Sequence, residues 1–285
     1  MRCSFLALVF PILAAGASFA SPVKQDEVVI FFPTDGYLEG QPPRWNIPVH
    51  GWVYEPEADS KRRRILLDGL AAKLELEPGA TEDTLFRERA ALFLVDNERG
   101  KRILVRSGST SAQLEASKPN GHFQGTLRLA AGELDAAAAG QTWAEFEAVL
   151  RSEDPRQFTG RAQLLPATGI SVISDIDDTI KISEVLDKPA LLQNTFLEPF
   201  TPVPGMAEAY RRWKDEGAAF HYVSSSPWQL YPSLQAFIDS SGFPAGSIAL
   251  RLFRLKDRSF LEFLLESEQY KLDTLRGILG RYPGR

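Results

Sequence analysis

A short apolar segment that ends in a cluster of aspartates is the feature that most constrains this chain. The stretch GISVISDIDDTIK, residues 169–181, places Asp175, Asp177 and Asp178 directly after a β-branched, apolar run. Such a run predicts a buried strand, and a buried strand that ends in uncompensated carboxylates is costly. The segment therefore indicates a functional site, although an isolated Asp-x-Asp-x-Thr also fits a surface acidic loop or a helix cap.

Residues 21–166 have the pattern of a small β-rich domain. Short β-type runs are separated by turn signals, and two hairpin turns are predicted, at Asn97–Gly100 and at Pro119–Gly121. This pattern favours an antiparallel sandwich or barrel. Two stretches differ from it: residues 61–76 have a helical composition, and the alanine-rich residues 134–140 predict a short helix or a loop.

Residues 167–285 have the alternating pattern of an α/β domain. The runs ISVIS, AAFHYVS and SIALRLF predict three buried strands, and a helix-type segment follows each of them. This alternation predicts a parallel sheet with helices on both faces, whose sites lie at the carboxyl ends of the strands. Asp175 and Ser224 both come at such strand ends.

The aspartates are divided between two sides of the chain. Alternation along an extended segment puts Asp175, Asp177 and Thr179 on one side and turns Asp178 to the other. Two carboxylates on one side repel each other, and each is pushed toward protonation unless a cation or a division of roles separates them. Magnesium is the cation that suits such a pair best, because it binds through one or two carboxylates and through phosphate oxygens.

A serine and a lysine complete the candidate site. The hydroxyl of Ser224 is placed to bind a phosphate oxygen, and the alternative is that one of Ser224–Ser226 caps the following helix. Lys271 falls on the apolar face of the last predicted helix, where it needs a negative partner unless its long stem reaches water. A carboxylate nucleophile, a second carboxylate, a hydroxyl and a lysine together predict phosphoryl transfer through an aspartyl-phosphate.

These residues resemble the haloacid dehalogenase superfamily, whose first motif is Asp-x-Asp-x-Thr. More closely, the chain is similar to the catalytic domain of the phosphatidate phosphatases of the actin-patch-protein type. The likeness is carried by ISDIDDTIK, PVPGM, YVSSSPWQLYP, GFPAG with LRLFRLKD, and YKLDTLRGIL, which span residues 169–280 in the family's order. The β-rich part also resembles the segment that these proteins carry ahead of the catalytic domain. The resemblance implies a Rossmann-like, haloacid dehalogenase-type parallel sheet.

The resemblance also implies a role for each residue of the site. Asp175 would be the nucleophile and a magnesium ligand, and Asp177 would be the general acid and base and a second ligand through its carbonyl. Thr179 would steady the loop, and Ser224 with Ser225 would bind the phosphoryl group. Lys271 would balance the negative charge. Asp178 is left without a role.

The implied reaction is the dephosphorylation of phosphatidate to diacylglycerol. The segment from Ile180 to Pro204 is too short for a large cap domain, which leaves the site open to a bulky substrate. One alternative is a soluble phosphomonoester, because the only candidates to contact an acyl chain, Trp228 and Phe196, have residue types that are more often core. Another is a non-catalytic binding protein in which the β-rich domain acts and the phosphatase half is a relic.

The C-terminal end departs from the family. Its members continue past the lysine helix with an apolar strand and a Gly-Asp-Ser turn, whose acids complete the magnesium site, whereas the sequence given ends at Arg285. A buried apolar strand contributes ~1.5 to 3 kcal/mol for each residue. The resemblance therefore predicts that the chain ending here is truncated, unstable and weak in magnesium binding.

The first twenty residues predict a secretory signal peptide cleaved after Ala20, and hence a secreted or periplasmic protein. Their apolar run is shorter than the ~20 residues of a membrane span. The single cysteine, Cys3, lies in this segment, so the mature chain would carry neither a disulfide nor a catalytic thiol. With a net charge of −5 and no basic face, nucleic acid is excluded as a partner. The basic run Lys61–Arg64 is interpreted as a solvated helix face, with peripheral contact to membrane lipid as the alternative.

Overall fold

The computed structural model describes residues 23–56, 61–74, 76, 79–132, 142–253 and 268–285. The predicted signal peptide, the alanine-rich stretch at 134–140 and residues 254–267, which include part of the last predicted helical segment, lie outside the described residues. Across the described ranges, we find no helix with the length and apolarity that a bilayer crossing requires.

The first part of the chain is built mainly of β-strands, as predicted. Its strands are β1 (Val28–Phe32), β2 (Thr34–Glu39), β3 (Arg44–Glu55), β4 (Asp96–Asn97), β5 (Arg102–Ser107), β6 (Thr110–Ala116), β7 (His122–Ala130), β8 (Trp143–Ala148) and β9 (Thr159–Leu165). The hydrogen-bonded order is β1-β3-β2-β9-β8-β5-β6, and β4 and β7 pair with β3. All pairs are antiparallel except β2 with β9, which run parallel. Helix α1 (Lys61–Lys73) confirms the helical composition of that segment.

One of the two predicted hairpins is wrong. Helix α2 (Thr84–Ala91), which Asp83 caps by accepting a hydrogen bond from the Phe86 amide, ends where the strand ahead of Asn97–Gly100 was expected to begin. Residues 92–95 form turns, in which the Phe93 amide donates to the Ala90 carbonyl and the Leu94 amide to the Ala91 carbonyl, both at 3.0 Å. The short strand β4 then pairs with β3 instead of with β5. The other turn, at Pro119–Gly121, is confirmed by the hydrogen bond from the Gly121 amide to the Lys118 carbonyl.

The second part contains the predicted parallel sheet. Its elements are β10 (Ser171–Asp175), α3 (Lys188–Phe196), α4 (Met206–Asp215), β11 (Ala219–Pro227), α5 (Tyr231–Ser240), β12 (Ser247–Arg251) and α6 (Glu268–Arg281). The three strands pair in the order β10-β11-β12, all parallel. Asp175, the last residue of β10, lies opposite Val223, so the residues that follow both strands come together at one edge.

The two parts share one core. Phe32 of β1 packs against Trp228 with ring centroids 4.0 Å apart, and both belong to a buried cluster that includes residues of β3, α1 and α2. A buried polar contact also joins the parts, since a carboxylate oxygen of Asp35 lies 2.9 Å from a ring nitrogen of His221. The predicted domain division at residues 166 and 167 stays a prediction, and the packing across it is continuous.

The segment after α6 contacts the start of the strand that carries Asp175. Gly284 forms a parallel bridge with Thr168, and the Arg285 guanidinium donates to the Ser171 hydroxyl at 2.9 Å and to the Ile170 carbonyl at 2.7 Å. These contacts fix the position of the C-terminal end of α6 relative to β10.

Candidate active site

The last residue of β10 and the first turn of α6 form an ion pair. The Lys271 ammonium donates to one carboxylate oxygen of Asp175, Oδ2, at 2.8 Å, although 96 residues separate the two in the chain. About a third of each side chain is exposed, 29% for Lys271 and 32% for Asp175. The other oxygen, Asp175 Oδ1, is buried and has no hydrogen-bond partner among the described residues. The pair is thus neutralised on one side and has a free acceptor on the other.

Asp177 has donors on both of its oxygens. Its Oδ1 atom lies 3.0 Å from the Lys181 ammonium and accepts from the Ser183 hydroxyl at 2.8 Å. Its Oδ2 atom accepts from the hydroxyls of Ser224 at 2.8 Å and Ser226 at 3.2 Å. Burial by itself raises the pKa of the Asp177 carboxyl, but the Lys181 charge and the hydroxyl donors outweigh it, so the pKa lies below the ordinary value.

A tight turn brings Lys181 back to Asp177. The Ile176 carbonyl accepts hydrogen bonds from the amides of Thr179, Ile180 and Lys181, at distances of 3.0 to 3.2 Å. Residues four apart in such a turn lie on the same side, which places the lysine side chain beside the carboxylate. The apolar residues of the turn, Ile176 and Ile180, are fully buried and anchor it in the core.

Asp178 holds the loop that follows this turn. One of its oxygens accepts from the amides of Ser183 at 2.7 Å and Glu184 at 2.8 Å, and the other accepts from the Val185 amide at 2.8 Å. Its φ of 55° lies in the left-handed region, which aspartate tolerates better than most residues. Burial raises the pKa of the Asp178 carboxyl, but the three amide donors outweigh it and the pKa is lowered. Asp178 is exposed and has a structural use in this loop. The alternation that predicted its direction does not apply here, because β10 ends at Asp175 and the chain then turns.

The serines of YVSSSP lie on a strand and not at a helix start. Strand β11 continues through Pro227, and α5 begins at Tyr231 with Leu230 at its N-cap, so the predicted cap by Ser224, Ser225 or Ser226 is wrong. The reason is strand pairing, since Pro227 still lies opposite Arg251 of β12. Successive side chains of a strand point to opposite sides, and the hydroxyls of Ser224 and Ser226 both reach Asp177.

The structure therefore assembles most of the predicted site residues. It brings Asp175 to Lys271 and Ser224 to Asp177. The Ser225 hydroxyl, in contrast, is buried without a partner among the described residues, and Thr179 contributes only a backbone amide to the turn. Sequence reasoning missed three residues that contact Asp177: Lys181, Ser183 and Ser226. The spacing of four positions between Asp177 and Lys181 was the available signal.

The candidates for contact with an acyl chain are core residues. Trp228 is 5% exposed and Phe196 is fully buried, and both belong to the cluster that joins the two parts of the chain. Neither side chain is available to a substrate in this structure.

Comparisons with known proteins place this part of the chain beside a family. Residues 170–285 match the family model of the phosphatidate phosphatase APP1 catalytic domain. The match supports an APP1-type catalytic domain in this segment. An uncharacterised protein of Schizosaccharomyces pombe is 38% identical over 116 residues, which are 38% of this chain and 19% of that protein. Phosphatidate phosphatase APP1 of Saccharomyces cerevisiae is 31% identical over 134 residues, which are 46% of this chain and 22% of that protein. The chain spans about a fifth of the length of these curated relatives.

The APP1-type domain contains every element of the site. Its matched range begins at Ile170, just ahead of β10, and extends through α6, so both carboxylates, the serines of β11 and Lys271 lie inside it. No cluster of three or more metal-ligating side chains occurs within the described part of the chain. The domain thus presents two carboxylates, each with its own lysine.

Proposed function

We propose that the APP1-type domain is a phosphomonoester phosphatase that forms an aspartyl-phosphate on Asp175. The observation that carries this proposal is the asymmetry of the Asp175 carboxylate, with Oδ2 held by Lys271 and Oδ1 buried without a donor. A carboxylate oriented by one charged hydrogen bond keeps its other oxygen for reaction, and the lysine offsets the charge that a phosphate would add. The parallel sheet with its site at the ends of β10 and β11 supports a Rossmann-like fold of the haloacid dehalogenase type.

We further propose magnesium as the cofactor. The Asp175 carboxylate accepts one hydrogen bond among the described residues, and a carboxylate has about four lone-pair positions, so it can hold a hard cation beside the lone pair that attacks phosphorus. The carboxylate oxygens of Asp177 are occupied by four donors, so this residue would contribute through its backbone carbonyl, as the family resemblance implies. When bound, the ion would offset the charge of the phosphoryl oxygens.

The two carboxylates divide the chemistry. Asp175 attacks phosphorus, the bond to the leaving oxygen breaks, and a proton from Asp177 neutralises that oxygen. A water molecule then attacks the aspartyl-phosphate while Asp177 takes the proton of the water, which releases phosphate and regenerates Asp175. The lowered pKa of Asp177 keeps this carboxyl anionic in the substrate-free protein, which is the form that the second step requires. A bound phosphate beside it adds negative charge and raises that pKa again, as the first step requires.

Phosphatidate is the substrate we propose first, because the match covers the catalytic domain of a phosphatidate phosphatase. A soluble phosphomonoester is the second candidate, and the burial of Trp228 and Phe196 favours keeping it, since these were the predicted acyl contacts. Peripheral contact of the protein with membrane lipid belongs to the first proposal.

The experiment compares both substrates with purified full-length chain and magnesium. We expect phosphate release from phosphatidate in mixed micelles to exceed release from glycerol 3-phosphate, and Asp175→Asn to abolish both. Asp215→Asn, which changes an exposed aspartate at the end of α4, is the matched control and keeps the parent rate. Turnover by Asp175→Asn at the parent rate would reject the mechanism, and equal turnover of glycerol 3-phosphate would favour the second substrate.

We also propose that the protein is exported, on the strength of the N-terminal sequence pattern alone. N-terminal sequencing of the mature protein should give Ser21 as the first residue. A mature chain that still starts at Met1 would reject this proposal.

A further inference from the structure

Among the residues that the structure describes, two lysines are almost completely buried, and one of them lies in the site without a place in the reaction described above. Lys181 is 2% exposed, and its ammonium contacts the Oδ1 atom of Asp177 at 3.0 Å. We propose that Lys181, together with Ser183, is a positioning residue that fixes the carboxylate of Asp177 for proton transfer. This inference rests on the proposed phosphatase function, in which Asp177 is the group that moves the proton.

The Lys181 side chain is held on all sides. Its ammonium donates to the Ser183 hydroxyl, which in turn donates to Asp177 at 2.8 Å. The ring of Phe200 lies on another side, with its centroid 4.9 Å from the ammonium nitrogen. An ammonium held between an aromatic ring and a carboxylate has little conformational freedom, so the Lys181 side chain keeps one position beside Asp177.

The backbone of Lys181 is fixed as well. Its amide donates to the Ile176 carbonyl at 3.0 Å, and its carbonyl accepts from the Asp178 amide at 2.7 Å. An antiparallel bridge joins it to Pro202, in the segment between α3 and α4. The lysine therefore approaches Asp177 from a rigid turn and not from a mobile loop.

These contacts decide which oxygen of Asp177 faces the reaction. Lys181 and Ser183 occupy Oδ1, which leaves Oδ2 directed at the hydroxyls of Ser224 and Ser226, on the strand where the phosphoryl group is proposed to bind. A carboxylate turns about a single bond with a broad energy profile, so without a firm contact on Oδ1 its direction would vary. Proton transfer depends on that direction, because the donor must lie within hydrogen-bond reach of the leaving oxygen.

The competing explanation is that Lys181 only stabilises the fold. The chain offers a matched control for it in Lys101, which is 3% exposed and pairs with Glu27 at 2.5 Å in the β-rich part. Loss of the Lys101 ammonium leaves Glu27 with only the exposed Lys24 ammonium, at 3.4 Å, and loss of the Lys181 ammonium leaves Asp177 with hydroxyl donors alone. Lys181→Met and Lys101→Met should therefore both lower the melting temperature. Only the first should affect turnover.

The experiment measures kcat and KM of the full chain with phenyl phosphate and with phosphatidate micelles. We expect Lys181→Met to lower kcat about 10- to 100-fold with KM changed by less than about three-fold, because it removes orientation and not substrate binding. Lys181→Arg should restore part of kcat, and Lys101→Met should leave kcat within about two-fold of the parent. An unchanged kcat in Lys181→Met, or an equal loss in Lys101→Met, would overturn the proposal.

A double variant tests whether Lys181 acts through Asp177. The variant Asp177→Asn with Lys181→Met should be no slower than Asp177→Asn alone, since the lysine then has no carboxylate to position. Additive losses would contradict the proposal. If Lys181→Met does not fold, Ser183→Ala, which removes the second Oδ1 donor and leaves the ammonium, takes its place with a smaller expected loss of kcat.

Crystal structures separate this proposal from the proposed function. If the parent chain turns over no phosphomonoester, the phosphatase proposal fails, and the direction of the Asp177 carboxylate still tests the lysine. We expect this carboxylate to lose its hydrogen bond to Ser224 in Lys181→Met. Retention of that bond without the lysine would overturn the positioning role whatever the activity.

Discussion

The two carboxylate–lysine pairs of the site have the same chemistry and opposite constructions. Asp175 and Lys271 come from elements 96 residues apart, and each is about a third exposed. Asp177 and Lys181 come from one tight turn, with the carboxylate 17% and the lysine 2% exposed. The Asp175–Lys271 pair, which we call the open pair, has one carboxylate oxygen without a donor in the part of the chain that the structure describes. The Asp177–Lys181 pair, which we call the closed pair, has donors on both carboxylate oxygens.

This difference separates reactivity from stability. A partly exposed ion pair contributes little to folding, because water already solvates both charges. A buried pair is costly to break, because removing one member leaves the other charged and desolvated. The open pair is thus free to respond to a phosphate, and the closed pair holds its carboxylate in one direction. The predictions below measure how far this separation extends.

The largest expected effect is on stability, at the closed pair. Asp177→Ala leaves the Lys181 ammonium buried without a carboxylate, and we expect it to lower the free energy of unfolding by about 3 to 5 kcal/mol. Asp175→Ala, at the exposed pair, should lower it by less than about 1 kcal/mol. Urea unfolding of both variants is the measurement. Equal losses in the two variants would show that burial does not distinguish the pairs.

The second effect is on turnover, at the open pair. Lys271→Met removes the charge that balances Asp175 and the phosphate, and we expect kcat to fall about 100-fold. The free energy of unfolding should change by less than about 1 kcal/mol, because the ammonium is 29% exposed and partly solvated. Steady-state kinetics tests the expected loss of kcat, and urea unfolding of the same preparation tests the expected change in the free energy of unfolding. A stability loss without a loss of kcat would reverse the assignment of the two pairs.

A buried pair of histidines carries no charge, and its contribution to stability should depend on pH where that of the closed pair does not. The rings of His50 and His122 are in contact, with nitrogens 3.1 Å apart. Burial lowers the pKa of His50 to about 3 and that of His122 to about 4, so both are neutral in the folded protein. Below pH 6.5, the ordinary pKa, the unfolded chain takes up protons that the folded chain does not.

Stability should therefore fall as the pH falls from 6.5 toward about 4. We expect a loss of about 2 kcal/mol between pH 6.5 and about 5.5 for the two histidines together. Asp177 contributes nothing to the pH dependence of stability in this window. Its lowered pKa keeps it charged in the folded protein, and its ordinary pKa of 3.8 lies below the window, so it is charged in the unfolded chain as well. Urea unfolding at each pH gives the slope, and His122→Gln should roughly halve it. A flat profile would contradict the neutral state of the pair.

Local patterns in the sequence predicted the strands and their parallel pairing in the second part. Continuous apolar runs such as Ile170–Ser174 favour a strand, and their alternation with helices favours parallel pairing. The predicted burial of this run is wrong for most of it, since Ile170 is exposed and only Ser174 of β10 is buried. The failed hairpin at Asn97–Gly100 shows the limit of this method. The apolar residues ahead of it suit a strand or a helix end equally, and in the structure the chain leaves α2 through turns that close on the carbonyls of Ala90 and Ala91.

For the site, residue types and strand ends were enough to predict Asp175, Asp177, Ser224 and Lys271. The sequence could not show that the serines stay on the strand, because this depends on the pairing of Pro227 with Arg251. Nor could it show that Lys181 is buried, since a lysine four positions after an aspartate is usually a solvated partner. Burial of a charge is a property of the packed elements around it, here Phe200 and the turn at Ile176.

The smallest expected effect is at Asp178, whose carboxylate accepts hydrogen bonds from the amides of residues 183–185, in the loop after the closed pair. Asp178→Asn tolerates the left-handed backbone and keeps one acceptor oxygen, so we expect a loss of only about 1 kcal/mol in the free energy of unfolding, because the residue is exposed. Hydrogen exchange should become faster at the amides whose acceptor oxygen is replaced by the amide group of asparagine, which are either Val185 alone or Ser183 with Glu184. The Ala190 amide, which donates to Asp187, is the control and should not change. In the parent, the lowered pKa of Asp178 means that this protection is present above pH 3.8 and is lost as the pH falls through the folded value. Faster exchange at Ala190 as well would show that the loop and α3 open as one unit, and would contradict a purely local role of the Asp178 carboxylate.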